Sequence, residues 1–218
     1  MSEQLPLFPL KNVLFPGMLL PLHIFESRYR ALVRRCLDSR SPFGVVLIRS
    51  GEEVGPPAEP HEVGTSARIV AWHGLRDGRF FIVTRGERRF AIEELVGDEE
   101  PYLVGRVRYL DETDGDDAAH LAREASEAFA QYRLAVASVG TQRYAEPATE
   151  FASGTPIEVS YQIATGLAID AMERQRFLEA PTAAERLALE LRLLERENAL
   201  LTELLVRQRA RKEGPRPN

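Results

Sequence analysis

The sequence predicts an α+β fold in which a strand-rich segment, residues 1–112, precedes a helical segment, residues 113–213. Two observations lead to this prediction. Apolar runs of strand length recur about every ten residues through the first half, separated by turns that contain glycine or proline. After the acidic stretch "DETDGDDAAH" the apolar residues recur at helical spacing instead. This change of period places the boundary between the two segments.

The first apolar stretch, residues 12–25, resembles a membrane segment in composition but not in pattern. A spanning helix needs about 20 consecutive apolar residues, and here Pro16 and Pro21 interrupt the run. A signal peptide would begin with basic residues and end in a small-residue cleavage site, and neither is present. Prolines among strand-like neighbours mark strand ends and edges. The stretch therefore predicts short strands at 5–10 and 18–24, joined by an "FPG" turn.

The rest of the first half predicts one helix and a compact barrel or sandwich of strands. In "ESRYRALVRRCLD" the residues Tyr29, Leu32, Val33 and Cys36 fall at helical spacing, which predicts an amphipathic helix. The "RDG" triplet predicts a tight hairpin turn. The remaining strands are predicted in "FGVVLI", "TSARIVAWHGL", "RFFIVTRG", "ERRFAIEEL" and "YLVGRVRYL".

The second half predicts three helices. Residues 118–139 carry an apolar stripe at helical spacing. Pro156 suits the first turn of a helix, because the N–H that proline lacks has no partner there, and this helix is predicted to continue through residue 169. Thr182 followed by Glu185 forms a capping box that opens a final helix to about residue 209.

That final helix carries a heptad-like seam with one polar member. The residues that could mediate self-association as a homodimer are Leu191, Leu194, Asn198, Leu201 and Leu205. The alternative is that the seam packs on the chain's own earlier helices. The stripe is wider than a two-stranded seam requires, which favours the alternative.

Composition excludes several classes of protein. The formal net charge of -5 argues against a protein that holds nucleic acid mainly through its phosphates. Cys36 is the only cysteine, so no internal disulfide can form and a reducing, cytoplasmic location is expected. With no spanning or signal pattern, no membrane association is expected.

Catalytic patterns are absent from the sequence, and no enzyme activity, cofactor or metal is predicted. The only lysines are Lys11 and Lys212, and neither follows a glycine-rich phosphate loop or lies in a Ser–Lys context. There is no G-x-S-x-G elbow, and the four histidines lack metal-ligand spacing.

Two polar groups leave other functions open. His23 and Glu26, with Arg28, could form an acid/base pair at a strand-to-helix junction, although Glu26 also suits the first turn of a helix. A second possibility is RNA binding through arginines beside aromatic residues, although alternating arginines on a strand usually form its solvated face. These arginines are Arg88, Arg89, Arg106 and Arg108.

Apolar residues near the proline-rich breaks form a further candidate site. If several are exposed together, the patch would mark an interaction surface, and an extended peptide could also add at a strand edge near the prolines. The candidate polypeptide-binding residues are Phe8, Phe15, Pro16, Met18, Leu22 and Phe25.

The same stretch carries a family resemblance. "LPLFPLKNVLFPGMLLPLHIFESRYRALVRRCL" resembles the start of the Lon protease N-terminal, substrate-binding domain, especially in stand-alone bacterial proteins with that domain alone. The resemblance continues through "FGVVLI", "GTSARI", "GERRFAI" and "PYLVGRVRYL", and resumes in "RQRFLEAPTAAERLALELRLLEREN". It implies a six-stranded, PUA-like pseudobarrel followed by a helical bundle, and capture of unfolded or damaged polypeptide. The full protease continues into ATPase and Ser–Lys peptidase modules, whose motifs are missing here, so the resemblance implies binding without hydrolysis.

Overall fold

A computed structural model describes residues 3–55, 58–97, 100–139 and 154–212, with side chains described to residue 208. In chain order its elements are β1 Glu3–Leu10, β2 Leu19–Ile24, α1 Ser27–Ser39, β3 Phe43–Ser50, β4 Glu59–Gly74, β5 Phe80–Val96, β6 Val104–Tyr109, α2 Ala118–Val139, α3 Pro156–Gly166, α4 Ala171–Glu179 and α5 Ala183–Lys212. The predicted α+β class is confirmed. Within those ranges, no helix has both the length and the apolar character needed to span a bilayer.

The six strands form one mixed sheet in the order β2-β5-β4-β3-β1-β6. Only β1 and β3 pair in parallel, and the other neighbours are antiparallel. The long strand β5 pairs with β2 along its first part and with β6 along its last part, which closes most of the sheet on itself. Strand β2 remains outside this closure, with β5 as its one strand partner in the described sheet.

Strand β5 joins two strands that the sequence predicted separately. The sequence predicts that the first of these strands ends at Gly86, but Gly86 lies inside β5. A Cβ at this position would come within 2.2 Å of the Phe15 carbonyl oxygen. The pairing with β4 shifts just beyond it, between Thr65 and Ala67. Ser66 spans this irregularity, since its hydroxyl accepts from the Arg88 N–H at 3.1 Å and donates to the Arg88 carbonyl at 3.2 Å. Glycine thus permits a close backbone approach without ending the strand.

Helix α1 covers one end of the strand-rich core as its pattern predicted. Tyr29, Leu32, Val33 and Cys36 are all buried. The Tyr29 ring stacks on Phe8 of β1 with 4.0 Å between centroids. Burial raises the pKa of Tyr29 to about 12 and that of the Cys36 thiol to about 11, so both groups are neutral constituents of the core.

The chain forms two compact units. One contains residues 1–111 together with 167–179, and the other contains residues 112–166 together with 180–218. The predicted ranges were 1–112 and 113–213. The main difference is that residues 167–179, which carry α4, belong to the strand-rich unit. This helix contributes to the strand-rich unit, where the Gln175 amide donates to the Val63 carbonyl at 3.0 Å and Arg89 donates to the Leu178 carbonyl at 2.8 Å.

The helical unit contains α2, α3 and α5. The capping box that opens α5 is confirmed, because the Glu185 N–H donates to the Thr182 hydroxyl at 3.1 Å. Helix α3 begins at Pro156 as predicted but ends at Gly166, three residues before the predicted end. A Cβ at Gly166 would lie 2.5 Å from the tip of the Phe129 ring of α2, so a larger residue here requires that ring to shift.

The leucine seam of α5 packs against α2 of the same chain, as the favoured alternative predicted. Leu194 is fully buried, Leu191, Leu201 and Leu205 are half-buried, and the Asn198 side chain donates to the Ala128 carbonyl of α2 at 2.9 Å. These contacts use the seam inside the chain. The apolar residues that α5 leaves exposed, Leu200, Leu204 and Val206, belong to other positions of the helix.

A charged network is buried in the helical unit. The Arg186 side chain is fully buried, donates to the Ser160 hydroxyl at 2.8 Å and lies 3.5 Å from the Glu112 carboxylate. Its guanidinium stacks 3.8 Å from the centroid of Tyr161, whose hydroxyl donates to Glu112 at 2.7 Å. Glu190, one turn along α5, is also fully buried. Burial raises the pKa of the Glu190 carboxyl well above its usual value of 4.5, and the positive charge of Arg186 opposes the shift.

Glu190→Gln is expected to stabilise the protein relative to wild type as the pH rises. The folded state holds the Glu190 proton to higher pH than the unfolded chain, which releases it near 4.5. The stability that this proton contributes is therefore full below pH 4.5 and falls as the pH rises toward the folded pKa. Glutamine keeps the shape of the protonated carboxyl and removes this slope. Urea unfolding at pH 5 and pH 8 should show a variant advantage that grows with pH; an advantage independent of pH would contradict the shift.

Candidate functional site

Strands β2, β5 and β4 present a regular array of outward-facing side chains. The register aligns three rows across the strands, and along β5 the outward residues alternate with the buried Ile82 and Thr84. One row is charged at β5 and β4, and the other two carry aromatic, imidazole and aliphatic groups. The rows are Leu19, Arg85 and Arg68; Pro21, Val83 and Ala71; and His23, Phe81 and His73. These nine residues are called the β2–β5–β4 face below.

The aromatic row is the most distinctive part of this face. Phe81 is 50 % exposed and stacks on the His23 ring with 4.5 Å between centroids and 17° between planes. Phe25, directly after β2, is 49 % exposed and lies 5.8 Å from the same imidazole. Large aromatic rings contribute most when they become buried, so this group of exposed rings favours contact with another apolar molecule.

A groove of about 490 Å³ opens at the same place. It is lined by residues 21–23 of β2, 71–73 of β4 and 81–83 of β5. Trp72, the only tryptophan in the sequence, lines it and is 58 % exposed, and its ring meets the edge of the buried Phe80 ring at 6.3 Å. This volume is within the range of pockets that bind small molecules.

The β4–β5 hairpin holds this part of the face in place. Its predicted "RDG" turn is confirmed by hydrogen bonds from the Leu75 N–H to the Arg79 carbonyl at 2.8 Å and from the Gly78 N–H to the Leu75 carbonyl at 2.9 Å. Gly78 has φ of +82°, which glycine adopts at no steric cost. The Arg79 N–H also donates to Asp77, and this bond lowers the pKa of that carboxyl.

The structure corrects part of the predicted apolar site. Phe8 is 6 % exposed and Phe15 is fully buried, so neither can take part in an exposed patch. Phe8 is covered because it stacks on Tyr29, and Phe15 lies beneath the guanidinium of Arg174 at 5.4 Å. Met18 and Leu22 are half-buried against the core, and Pro16 is half-buried in the turn. Of the predicted set, Phe25 has its ring largely in solvent.

The arginines considered for RNA binding are occupied within the strand-rich unit. Arg89 is buried and bonded to the Leu178 carbonyl. Arg106 pairs with Glu94 at 2.8 Å and Arg108 with Glu93 at 3.5 Å. Arg88 stacks over the Tyr109 ring at 4.5 Å. The burial of Arg89 and the pairing of Arg106 and Arg108 with carboxylates do not favour a phosphate-binding surface.

The polar residues at the β2–α1 junction do not assemble as a catalytic pair. Glu26 pairs with Arg28 at 3.1 Å. Arg28 also donates to the Glu53 carbonyl at 3.0 Å. His23 instead stacks on Phe81. In the part of the chain that the structure describes, no cluster of three or more His, Cys, Asp or Glu residues is suited to a metal ion.

Comparison with known families accounts for this fold. A sequence model described as the ATP-dependent protease La (LON) substrate-binding domain matches residues 4–196. The chain belongs to this family. The predicted resemblance to the Lon N-terminal domain is therefore confirmed. The segments that carried it run from β1 through β6 and resume in α4 and α5.

Individual relatives agree with the family assignment. The chain is 30 % identical to a Lon protease of Anaeromyxobacter dehalogenans over 211 residues, covering 90 % of this chain and 24 % of that protein. It is 31 % identical to Lon protease 2 of Myxococcus xanthus over 213 residues, covering 91 % and 24 %. The chain thus spans about a quarter of the length of these curated relatives.

A solved structure has the same fold over most of both chains. A Lon N-terminal domain protein from Xanthomonas campestris superposes with a TM-score of 0.61 at 27 % identity, covering 85 % of this chain and 95 % of that one. The N-terminal domain of a Mycobacterium avium complex Lon protease superposes with a TM-score of 0.64 at 19 % identity, covering 90 % and 98 %.

Leu19, Trp72 and Phe81 are not among the site residues predicted from the sequence. One signal could have found Phe81. In "RFFIV" both alternating positions are apolar, whereas a strand with one solvated face should alternate apolar and polar residues. An excess of apolar residues beside a hairpin turn therefore points to a second contact surface.

Proposed function

We propose that the chain is a non-enzymatic cytoplasmic protein that captures unfolded or damaged polypeptide through the β2–β5–β4 face. The exposed rings of His23 and Phe81 and of the adjoining Phe25, beside the groove, are the observation that carries this proposal. Water is displaced from these rings when an apolar client segment covers them, and this displacement favours binding. Membership in a family described as a substrate-binding domain supports a client that is itself a polypeptide.

The composition of the face fits clients that share apolar character rather than one sequence. Leu19 and Phe81 are each about half exposed, and aromatic rings contact many side chains without directional requirements. Contiguous apolar segments are exposed in unfolded chains, whereas folded proteins rarely expose large apolar patches. The face therefore supports recognition of the unfolded state.

Phe81→Ser is expected to weaken client binding by about tenfold or more, because exposed aromatic anchors dominate the free energy of apolar interfaces. The client probe is an acetylated ten-residue peptide that alternates leucine and serine and ends in a free carboxylate. Its binding to wild type and variant is measured by calorimetry.

Leu134→Ser provides the matched control. Leu134 is 64 % exposed on α2, in the helical unit, so this variant removes a comparable apolar side chain away from the β2–β5–β4 face. Its peptide affinity should equal that of wild type, and both variants should keep native far-UV circular dichroism. Equal affinity for the two variants would contradict the assignment of the face.

A further inference from the structure

Strand β2 offers a free backbone edge beside the β2–β5–β4 face. Its one strand partner in the described sheet is β5, whereas β1, β3 and β6 each have two neighbours. An edge strand presents unpaired N–H and C=O groups that can accept a further strand. The side chains of Leu19, Pro21 and His23 along this strand are exposed.

The register identifies which backbone groups point away from β5. The Gly86 N–H donates to the Met18 carbonyl and the Gly86 carbonyl accepts from the Gly17 N–H, both at 2.9 Å, so the Met18 carbonyl points toward β5 at the start of the ladder. Hydrogen-bonded and non-bonded pairs alternate along an antiparallel ladder. The pairs of Leu19 with Arg85, Pro21 with Val83 and His23 with Phe81 are therefore the non-bonded ones. The backbone groups of Leu19, Pro21 and His23 point to the free edge.

Pro21 agrees with this assignment because it has no N–H. Proline is tolerated within a sheet where its nitrogen faces outward from an edge strand. The free edge of β2 thus presents two N–H donors, at Leu19 and His23, and three carbonyl acceptors. This pattern of partial charges is complementary to the backbone of an extended polypeptide.

A second open edge lies along residues 68–74 of β4, but its backbone groups are spaced less regularly. The pairing of β4 with β3 starts at Ala67, and its register with β5 shifts between Ile69 and Ala71. A bulge at Val70 breaks the even spacing of outward backbone groups, and bulges commonly blunt sheet edges. Strand β2 is the more regular acceptor.

We propose that an extended segment of client polypeptide adds to the free edge of β2 as a further strand of the sheet. This inference rests on the proposed function and specifies how the client is held. Backbone hydrogen bonds are independent of client sequence, and side chains at alternate client positions extend the β2–β5–β4 face. Arg85, for which the described structure holds no ion pair, lies at one end of the face and favours a client with a carboxylate there.

Alternate backbone N-methylation of the client peptide tests the proposal. Two versions of the leucine–serine peptide carry N-methyl groups on all leucine nitrogens or on all serine nitrogens, with side chains unchanged. One version should bind at least about tenfold more weakly and the other as tightly as the parent, because only one set of N–H groups faces β2. Loss in the leucine series indicates an antiparallel client strand, and loss in the serine series a parallel one.

Pro21→Ala tests the position of the added strand. Alanine restores an outward N–H at the centre of the edge, and one additional hydrogen bond should tighten parent-peptide binding about fivefold. Pro16→Ala, in the preceding turn, is the matched control and should leave the affinity unchanged. Native circular dichroism of both variants establishes that the comparison concerns folded proteins.

The outcomes separate this inference from the proposed function. If both methylated peptides bind equally, or if Pro21→Ala does not tighten binding, strand addition at β2 is wrong. If that occurs while Phe81→Ser still weakens binding, the apolar face remains the client site. If the parent peptide does not bind wild-type protein at all, the proposed function and the strand addition both fall.

Discussion

Phe15→Ala is expected to lower the free energy of unfolding by about 3–5 kcal/mol, the usual range for removing a buried aromatic side chain. Phe15 is fully buried, and its ring packs under the Arg174 guanidinium at 5.4 Å. Burial lowers the pKa of Arg174, so this cation is already poorly solvated and loses its aromatic contact in the variant. Urea unfolding followed by far-UV circular dichroism measures the change.

Phe81→Ala is the matched control for this variant, because Phe81 is half exposed. Surface substitutions of this kind change stability by about 0.5 kcal/mol or less. The two phenylalanines should therefore behave in opposite ways, with Phe15 affecting stability and Phe81 affecting client affinity. If Phe15→Ala leaves the free energy of unfolding unchanged and reduces client affinity, Phe15 belongs to the binding surface and its assignment to the core is wrong.

Local patterns in the sequence predicted most of the elements. The alternation of apolar residues marked the strands, Pro16 and Pro21 excluded a spanning helix, and Thr182 with Glu185 located the start of α5. These features depend on neighbouring residues alone. Helix α4 was not predicted, because nine residues give too short a pattern and its position depends on bonds to distant residues, from Gln175 to Val63 and from Arg89 to Leu178.

The exposure of individual phenylalanines depended on register, which the sequence does not encode locally. Phe80 and Phe81 are adjacent, yet Phe80 is buried and Phe81 is exposed because successive strand residues point to opposite faces. Which face is covered depends on α1 and on the pairing of β5 with β2. Phe8 and Phe15 were buried by the same kind of distant contact. The candidate site therefore moved from the proline-rich turn to the adjacent strands.

The position of Pro21 connects the sequence prediction to the edge proposal. The proline that argued against a membrane segment is also the residue whose missing N–H faces away from β5. Prolines protect edge strands from unwanted pairing between copies of a protein. A client-binding edge must remain open without promoting aggregation. Because Pro21 lies between the two free N–H groups of β2, it reduces but does not abolish the capacity of this edge to pair with another strand.

Arg186→Met is expected to destabilise the helical unit by about 3–5 kcal/mol, as breaking one partner of a buried charged network usually does. The substitution leaves the Ser160 hydroxyl without its donor at 2.8 Å and removes the cation that stacks on Tyr161 at 3.8 Å. Glu112 and Glu190 also lose the positive charge beside them. Urea unfolding at pH 7 measures the loss.

Arg207→Met and a double variant make this prediction specific. Arg207 is 73 % exposed and pairs with Glu203 one turn away, so removing it should cost no more than about 0.5 kcal/mol. Combining Arg186→Met with Glu190→Leu should recover part of the loss, because leucine replaces a buried carboxyl group that has lost the cation beside it. If Arg186→Met is no less stable than Arg207→Met, the buried network does not stabilise the helical unit. If the double variant is less stable than Arg186→Met alone, Glu190 contributes through a contact other than Arg186.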